Sequence, residues 1–242
     1  MCTASWLSAG GEFFFLFNRD ERKIRARGLP PRRDRRDGVR YLAPIDGAAG
    51  GTWIAVNESG LLLALLNRTD EGVSPRSGAL SRGSIIPTLV ASPNAKSSDE
   101  GLVALDLSDC APFRLLVRDA ATGAIRAHSW NGNRLSAEEL DPSAGLVCSS
   151  SLGDARVTLA RTPIWKRLLA AGSPLTLEAL RAFQRSHDPA PSADSVCMHR
   201  DDAETVSHVE IHLGHDRATM TYIDGPPCRH DPSAVETHEL SR

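Results

Sequence analysis

The chain is predicted to be an α+β protein in which antiparallel sheets stack on one another and helices pack outside them. Three observations predict this class. Segments of strand character come first, helical segments follow, and strands return at the end, so the alternating order of a parallel βαβ chain is missing. Turn-forming residues separate the strand segments at hairpin spacing. With 242 residues, 41% of them hydrophobic, the chain can bury a large core without a disulfide or metal staple.

The elements follow in order. Residues 3–7 and 13–17 flank Ser8-Ala9-Gly10-Gly11 and predict a hairpin that carries Asn18-Arg19-Asp20-Glu21 back beside the chain start. The stretch 22–40 is rich in Arg, is broken by Pro30-Pro31 and has neither helical nor strand period. It reads as a long surface loop, with an anionic-partner rim as the alternative. Residues 52–57 and 61–67 form the clearest hairpin, turning at Glu58-Ser59-Gly60. Helices are expected at 81–91 and 99–105, a second hairpin at 113–118 and 125–130, and a short strand at 146–149. Two more helices, 155–171 and 175–186, are split by Gly172-Ser173-Pro174. Strands 205–213 and 219–223 close the pattern, with His208, Glu210 and His212 alternating on one solvent-facing side. One domain, residues 1–228, followed by a frayed polar tail, 229–242, accounts for the whole.

The bulk chemistry narrows the function. A formal charge of -2 and an aromatic content of 5% give no reason to expect nucleic acid or an anionic membrane as partner. No apolar run approaches the roughly 20 residues of a membrane span. Glu12 interrupts the apolar start and no basic segment precedes it, so a cytoplasmic protein is expected rather than a secreted one. The five cysteines, at 2, 110, 148, 197 and 228, are odd in number and lack a CxxC pair, which fits reduced thiols. Nothing in the sequence sets an oligomeric state.

Cys2 carries the sharpest chemical signal. Removal of Met1 before a small side chain would leave a cysteine with both a thiol and an α-amine. The amine titrates near pH 8 and the thiol near 8.5, so one residue supplies attacker and base. Taken alone, Cys2 reads more simply as a small apolar residue opening a strand. The hairpin adds context by returning Arg19, which would lower a thiol pKa, and Asp20, which would hold the amine. Asn67, at the end of its hairpin, is suited either to a turn or to donating to an oxyanion. Asn18, Glu21, Ser150 and His199 are the candidates for substrate contacts. Cys197 and His199 would be half of a metal site, but no second pair stands at ligand spacing, so no metal and no cofactor are expected. Gly10-Gly11 and Gly50-Gly51 lack the strand–loop–helix setting of a phosphate cradle.

Met1-Cys2, Asn18-Arg19-Asp20-Glu21, Gly50-Gly51-Thr52-Trp53 and Val56-Asn57-Glu58-Ser59-Gly60-Leu61 through Leu66-Asn67 occur in that order. With Cys197-Met198-His199-Arg200-Asp201-Asp202 and Thr205-Val206-Ser207, they resemble the NRDE family, also called the Transport and Golgi Organisation type, in its bacterial branch. The same features are similar to the cysteine N-terminal-nucleophile amidases, the group of penicillin V acylase and bile salt hydrolases. The resemblance implies a four-layer αββα sandwich. It also implies Cys2 as nucleophile, Arg19 and Asp20 as its tuning pair, and Asn67 as an oxyanion donor. The reaction implied is hydrolysis of a linear amide or thioester in a small-molecule substrate. The alternative within the family is a non-catalytic protein that handles haem or lipid in the same cleft. Two departures stand out. The Cys2-to-Arg19 offset differs by about one residue from the amidase pattern, which calls for a bulge or another pairing. The stretch Cys148-Ser149-Ser150-Ser151-Leu152 lacks the second asparagine of the amidases, leaving a serine hydroxyl in its place.

Overall fold

The computed structural model describes residues 2–69, 80–170, 175–230 and 235–242. Met1 and the expected helix break at 172–174 lie outside the described residues. β1 (Cys2–Ala9) and β2 (Glu12–Arg22) open one sheet. The chain then lays out a second sheet as a meander: β3 (Leu29–Arg36), β4 (Val39–Ile45), β5 (Ile54–Asn57), β6 (Leu62–Asn67), β7 (Phe113–Arg118), β8 (Ile125–Trp130) and β9 (Leu135–Leu140). Between β6 and β7 it makes α1 (Ile85–Leu89) and α2 (Ala95–Ala104). It returns to the first sheet as β10 (Ala144–Ser149), beside β1. After α3 (Asp154–Ala170) and α4 (Leu177–Gln184), β11 (Ala203–Leu213), β12 (Arg217–Ile223) and β13 (Glu236–Ser241) complete that sheet in the order β10-β1-β2-β11-β12-β13.

Side-chain alternation sorts the layers. Ala4 and Trp6 of β1 and Phe13, Phe15 and Phe17 of β2 face the second sheet, where they meet Ile54, Val56, Leu62 and Leu66. The intervening Leu7 and Leu16 face the other way, against Trp165 of α3 and Leu180 and Phe183 of α4. Ala55, Leu63 and Leu65 on the outer face of the second sheet pack on Ile85, Ile86 and Leu89 of α1 and Leu102 of α2. That is the expected αββα sandwich. It explains why 13–17 and 61–66 read as continuous apolar runs: strands buried on both faces have no polar side to alternate with.

The β1–β2 register runs without a break from Cys2 opposite Arg19 to Ala9 opposite Glu12. The expected bulge is absent there. Gly10 and Gly11 form a two-residue turn with φ of 62° and 82°, the left-handed pair that glycine adopts without Cβ strain. The turn alone sets the offset to Arg19. The irregularity falls instead on β11, between Thr205 and Ser207 opposite β2.

The supposed loop at 22–40 is corrected. Most of it is β3 and the start of β4, joined by a two-residue turn at Asp37-Gly38 with Asp37 at φ 49°. β3 is an edge strand whose arginines are mostly exposed, and charge on both faces erased the period while protecting the edge from mispairing. β9, the other edge, was hidden for the same reason. The basic-rim reading also weakens, because Arg40 pairs with Glu58 and Arg33 donates to the Glu239 carbonyl at 2.7 Å. α2 starts earlier than expected because the Asn94 side chain caps it, accepting from the Ser97 amide at 2.9 Å. The frayed tail is corrected too: residues 236–241 are β13, paired along β12.

The face of His208 and Glu210 is not solvent-facing, as expected, but docks α4. His208 is buried with Nδ1 2.7 Å from the Asn18 side-chain oxygen, and Arg181 of α4 donates to Glu210 at 2.8 Å. Burial alone would raise the Glu210 carboxyl, yet hydrogen bonds from His208 and Arg181 hold it at about 2, below its ordinary 4.5. A depressed carboxylate stabilises the fold above its unfolded pKa, and that contribution fades as pH falls from about 4.5 towards about 2. Glu210→Gln is expected to cost on the order of 2 kcal/mol at pH 7 and much less at pH 2.5. Urea unfolding at the two pH values checks this; an equal cost at both would refute it.

Candidate active site

Cys2, the first residue of β1, is 6% exposed and faces the space between the sheets. Its strand lies between β10 and β2, so Ser149 and Arg19 flank it in register. It opens on a cavity of about 170 Å³ at the ends of the two sheets, also lined by Asp20, Asp46, Trp53, Asn67 and Arg82. Burial pushes the thiol up. The Asp20 charge adds to this, while Arg19 and the Asp20 backbone amide pull the other way.

The Arg19 side chain is 6% exposed, lies 4.5 Å from the Trp53 ring centre and donates to Asp46 at 2.6 Å. Asp46 also binds Arg25 at 3.1 Å and accepts the amides of Ala48 and Ala49 at 3.0 and 2.9 Å. Burial would raise that carboxyl, but these amides and guanidiniums bring it below the ordinary range. Arg19 is thereby fixed by one edge. Its other terminal nitrogen, Nη1, is buried with no hydrogen-bond partner among the described residues. The Gly50-Gly51-Thr52-Trp53 run builds this wall. A Cβ on Gly51 would stand 2.3 Å from the Gly83 carbonyl oxygen, and the Thr52 amide donates to that same carbonyl at 3.2 Å. The motif glycine lets two cavity segments touch backbone to backbone, which places Trp53 over Arg19.

Asp20 points the opposite way, into the helical layer. Its Oδ1 accepts from the Thr205 hydroxyl at 2.6 Å, and Arg161 of α3 stands 3.8 Å from Oδ2. Burial raises this carboxyl, with Arg161 and Thr205 opposing. Arg161 is 1% exposed. It donates to the Thr3 hydroxyl at 2.5 Å and to the Ser195 carbonyl at 2.8 Å, so one guanidinium joins β1, β2 and the chain leading to β11.

Asn67 ends β6 and is half-buried on the cavity wall. Asp154, the first residue of α3, holds the neighbouring segments together. Its carboxylate accepts from the Thr69 amide at 3.3 Å and from the Ser150 amide at 2.9 Å. It thus ties the exit of β6 to the exit of β10.

The structure brings Cys2, Arg19, Glu21 and Asn67 together around the cavity, with Asp20 on its wall but its carboxylate turned to Thr205 and Arg161 behind the sheet. It places the other three elsewhere. Asn18 is buried on the helical side, donating to the carbonyls of Gln184 and Val196 at 2.8 and 3.1 Å. It pins sheet to α4, which is a structural job rather than a substrate contact. The Ser150 hydroxyl accepts from the Leu152 amide at 3.1 Å and shapes a turn. The serine beside the thiol is Ser149, whose hydroxyl is buried with no hydrogen-bond partner among the described residues; strand pairing, invisible in a run of three serines, makes the difference. His199 lies in a separate cluster with His187, Cys197 and Cys228. The site roles of Arg161, Asp46, Asp154 and Thr205 also escaped the sequence reading, since their contacts with Thr3, Arg19, Thr69 and Asp20 span 27 to 185 positions of the chain and no local spacing marks them.

A four-layer αββα sandwich of two antiparallel sheets between helices is the N-terminal-nucleophile hydrolase fold. The comparisons agree. An N-acylethanolamine-hydrolysing acid amidase orthologue from Caenorhabditis elegans superposes with a TM-score of 0.59 at 11% identity, covering 99% of this chain and 100% of that one. An arginine-to-leucine variant of conjugated bile acid hydrolase from Clostridium perfringens gives 0.50 at 13% identity, covering 99% and 97%. No curated protein matches the sequence. The family model described as Transport and Golgi organisation 2 matches residues 1–191, and the chain belongs to that family. Among the described residues no helix is long and apolar enough to cross a membrane.

Proposed function

We propose that the protein is a cysteine N-terminal-nucleophile hydrolase that cleaves an amide (or thioester) bond of a small molecule through a thioester on Cys2. The observation that carries this reading is the register of Cys2 with Arg19 at the mouth of a cavity shared with Asn67. With Met1 removed, the Cys2 α-amine takes the thiol proton as Sγ attacks the carbonyl carbon. Asn67, half-buried on the cavity wall, would donate to the carbonyl oxygen as charge develops on it. Collapse breaks the C–N bond, and the leaving amine departs with the proton from the α-ammonium. Water then attacks the thioester, releasing the acid and restoring the thiol. Asp20 and Arg161 fix the strand ends from behind, and Ser149 stands beside the thiol on the neighbouring strand. The cavity accepts the scissile group and a short acyl stem, so the bulk of a larger substrate would lie outside it.

One observation favours the alternative of a non-catalytic ligand-handling protein: burial keeps the thiol protonated in the resting state. Brief exposure of the purified protein to a limiting acyl electrophile, followed by intact mass and peptide mapping, separates the two. The catalytic reading expects Met1 absent and Cys2 acylated in preference to the other four cysteines. Accessibility alone favours Cys228, the one cysteine that is not buried. Retained Met1, or labelling led by Cys228, would overturn catalysis and leave the carrier reading.

A further inference from the structure

Away from the Cys2 cavity, four side chains from three stretches of chain converge on one point. His187 follows α4, Cys197 and His199 precede β11, and Cys228 sits in the short helical turn Pro227–Arg229 after β12. One donor atom from each lies within 4.8 Å of all the others. His199 Nε2 is 3.1 Å from His187 Nε2, 3.3 Å from Cys228 Sγ and 3.7 Å from Cys197 Sγ.

Hydrogen bonding does not account for this packing. An imidazole nitrogen carries either one proton or one lone pair in the ring plane, and so satisfies one partner in line. Three polar atoms around a single nitrogen leave two of them poorly used. A tetrahedral metal accounts for all four. With zinc–sulfur and zinc–nitrogen bonds of about 2.3 and 2.0–2.1 Å, neighbouring ligand atoms fall about 3.3–3.8 Å apart, close to the separations around His199 Nε2. Two thiolates also cancel the charge of a divalent ion, so the filled site is neutral and suits its half-buried position. Cys197 is buried and the other three are partly exposed, which leaves an entry path. Arg229 lies 3.5 Å from His199 Nδ1, on the far side of that ring, and 3.7 Å from Glu204. With Nε2 on a metal, Nδ1 would carry the ring proton and cease to accept from Arg229, which would keep the Glu204 carboxylate as its partner.

We propose that His187, Cys197, His199 and Cys228 form a structural zinc(II) site of Cys2His2 type, separate from the Cys2 cavity. A two-sulfur, two-nitrogen tetrahedral set selects zinc over magnesium or calcium. With all four positions taken by protein there is no open coordination site, so its role is to fasten the fold. What it fastens is specific. The Met198 amide donates to the Thr205 hydroxyl at 2.9 Å, and that hydroxyl donates to Asp20 at 2.6 Å. The ion would hold the segment that anchors Asp20 while touching nothing in the cavity.

The test uses the full-length, untagged protein purified under reducing conditions and desalted into metal-free buffer. Elemental mass spectrometry is expected to find about one zinc per chain in the wild type and in Cys2→Ala, and less than about a tenth of that in Cys228→Ser and His187→Ala. Cobalt(II) loaded into the wild type should give thiolate-to-metal charge-transfer absorption that weakens in Cys228→Ser. Should the variants fold poorly, the wild type decides alone: the chelated, reduced protein should regain one zinc on titration, with a rise in Tm. Zinc content unchanged in both ligand variants, no rise in Tm on titration, or a native Cys197–Cys228 disulfide in place of metal would overturn the assignment. Cys2→Ala retaining zinc but losing acylation would separate this site from the proposed catalysis.

Discussion

Replacing Cys2 by Ala is expected to reduce hydrolysis of a p-nitrophenyl acyl ester by on the order of a thousandfold or more, because the attacking atom itself is deleted. The fold should survive. Cys2 ends a strand held on both sides by β10 and β2, and loss of one sulfur from the rim of the core costs about 1 kcal/mol, a shift of a few degrees in Tm. The pH dependence carries its own sign. Burial, reinforced by the Asp20 charge, raises the thiol pKa, so its reactive form becomes more populated as pH increases. Acylation of the wild type should therefore rise with pH across the neutral range, and Cys2→Ala should show no such limb. Turnover unchanged in Cys2→Ala would end the catalytic reading, whatever the labelling pattern.

Arg161→Met is expected to cost about 3–5 kcal/mol in urea unfolding, the range for leaving one member of a buried ion pair alone. The side chain is 1% exposed and holds Thr3, Ser195 and the carbonyl of Asp194 while facing the buried Asp20 carboxylate. Methionine fills much of the volume but supplies no charge. The buried carboxylate then loses the cation beside it while keeping the Thr205 hydroxyl among its partners. Combining Arg161→Met with Asp20→Asn removes the orphaned charge and should recover a substantial part of the loss, a coupling that a double-mutant cycle measures directly. A cost below about 1 kcal/mol, or no recovery in the double variant, would mean that the pair does not hold the site together.

The parts of the fold legible in the sequence were those whose signal is local. Gly10-Gly11 and Glu58-Ser59-Gly60 marked their hairpins because a tight turn demands particular residues within a few positions. The helices after β10 declared themselves through caps and periodicity. Strands β3 and β9 did not, since an exposed edge strand lined with Arg, Asp or Glu carries no apolar alternation. The same division runs through the site. Cys2, Arg19 and Asn67 were legible because chain start, strand end and hairpin end are positions along the chain. Ser149 against Ser150 was a question of register, decided by a strand pairing across 147 residues. The Cys197/His199 pair looked incomplete because its complement, His187 and Cys228, comes from elements that only the sandwich brings alongside. Motif spacing reports neighbours along the chain, and this fold assembles its polar clusters between elements.

β13 has a consequence for how the molecule can be handled. Its residues look dispensable in composition, yet they occupy the whole free margin of β12 from Arg217 to Tyr222. Arg242 adds a latch, its backbone amide donating to the Asp216 carbonyl and its guanidinium to the Gly214 carbonyl at 2.9 and 2.6 Å. A chain cut before Glu236 would leave that row of amides and carbonyls open to solvent. An open sheet margin is a template for another strand, so trimming the tail would move the sheet's open edge from β13 to β12, whose buried Ala218, Met220 and Tyr222 make the more adhesive margin.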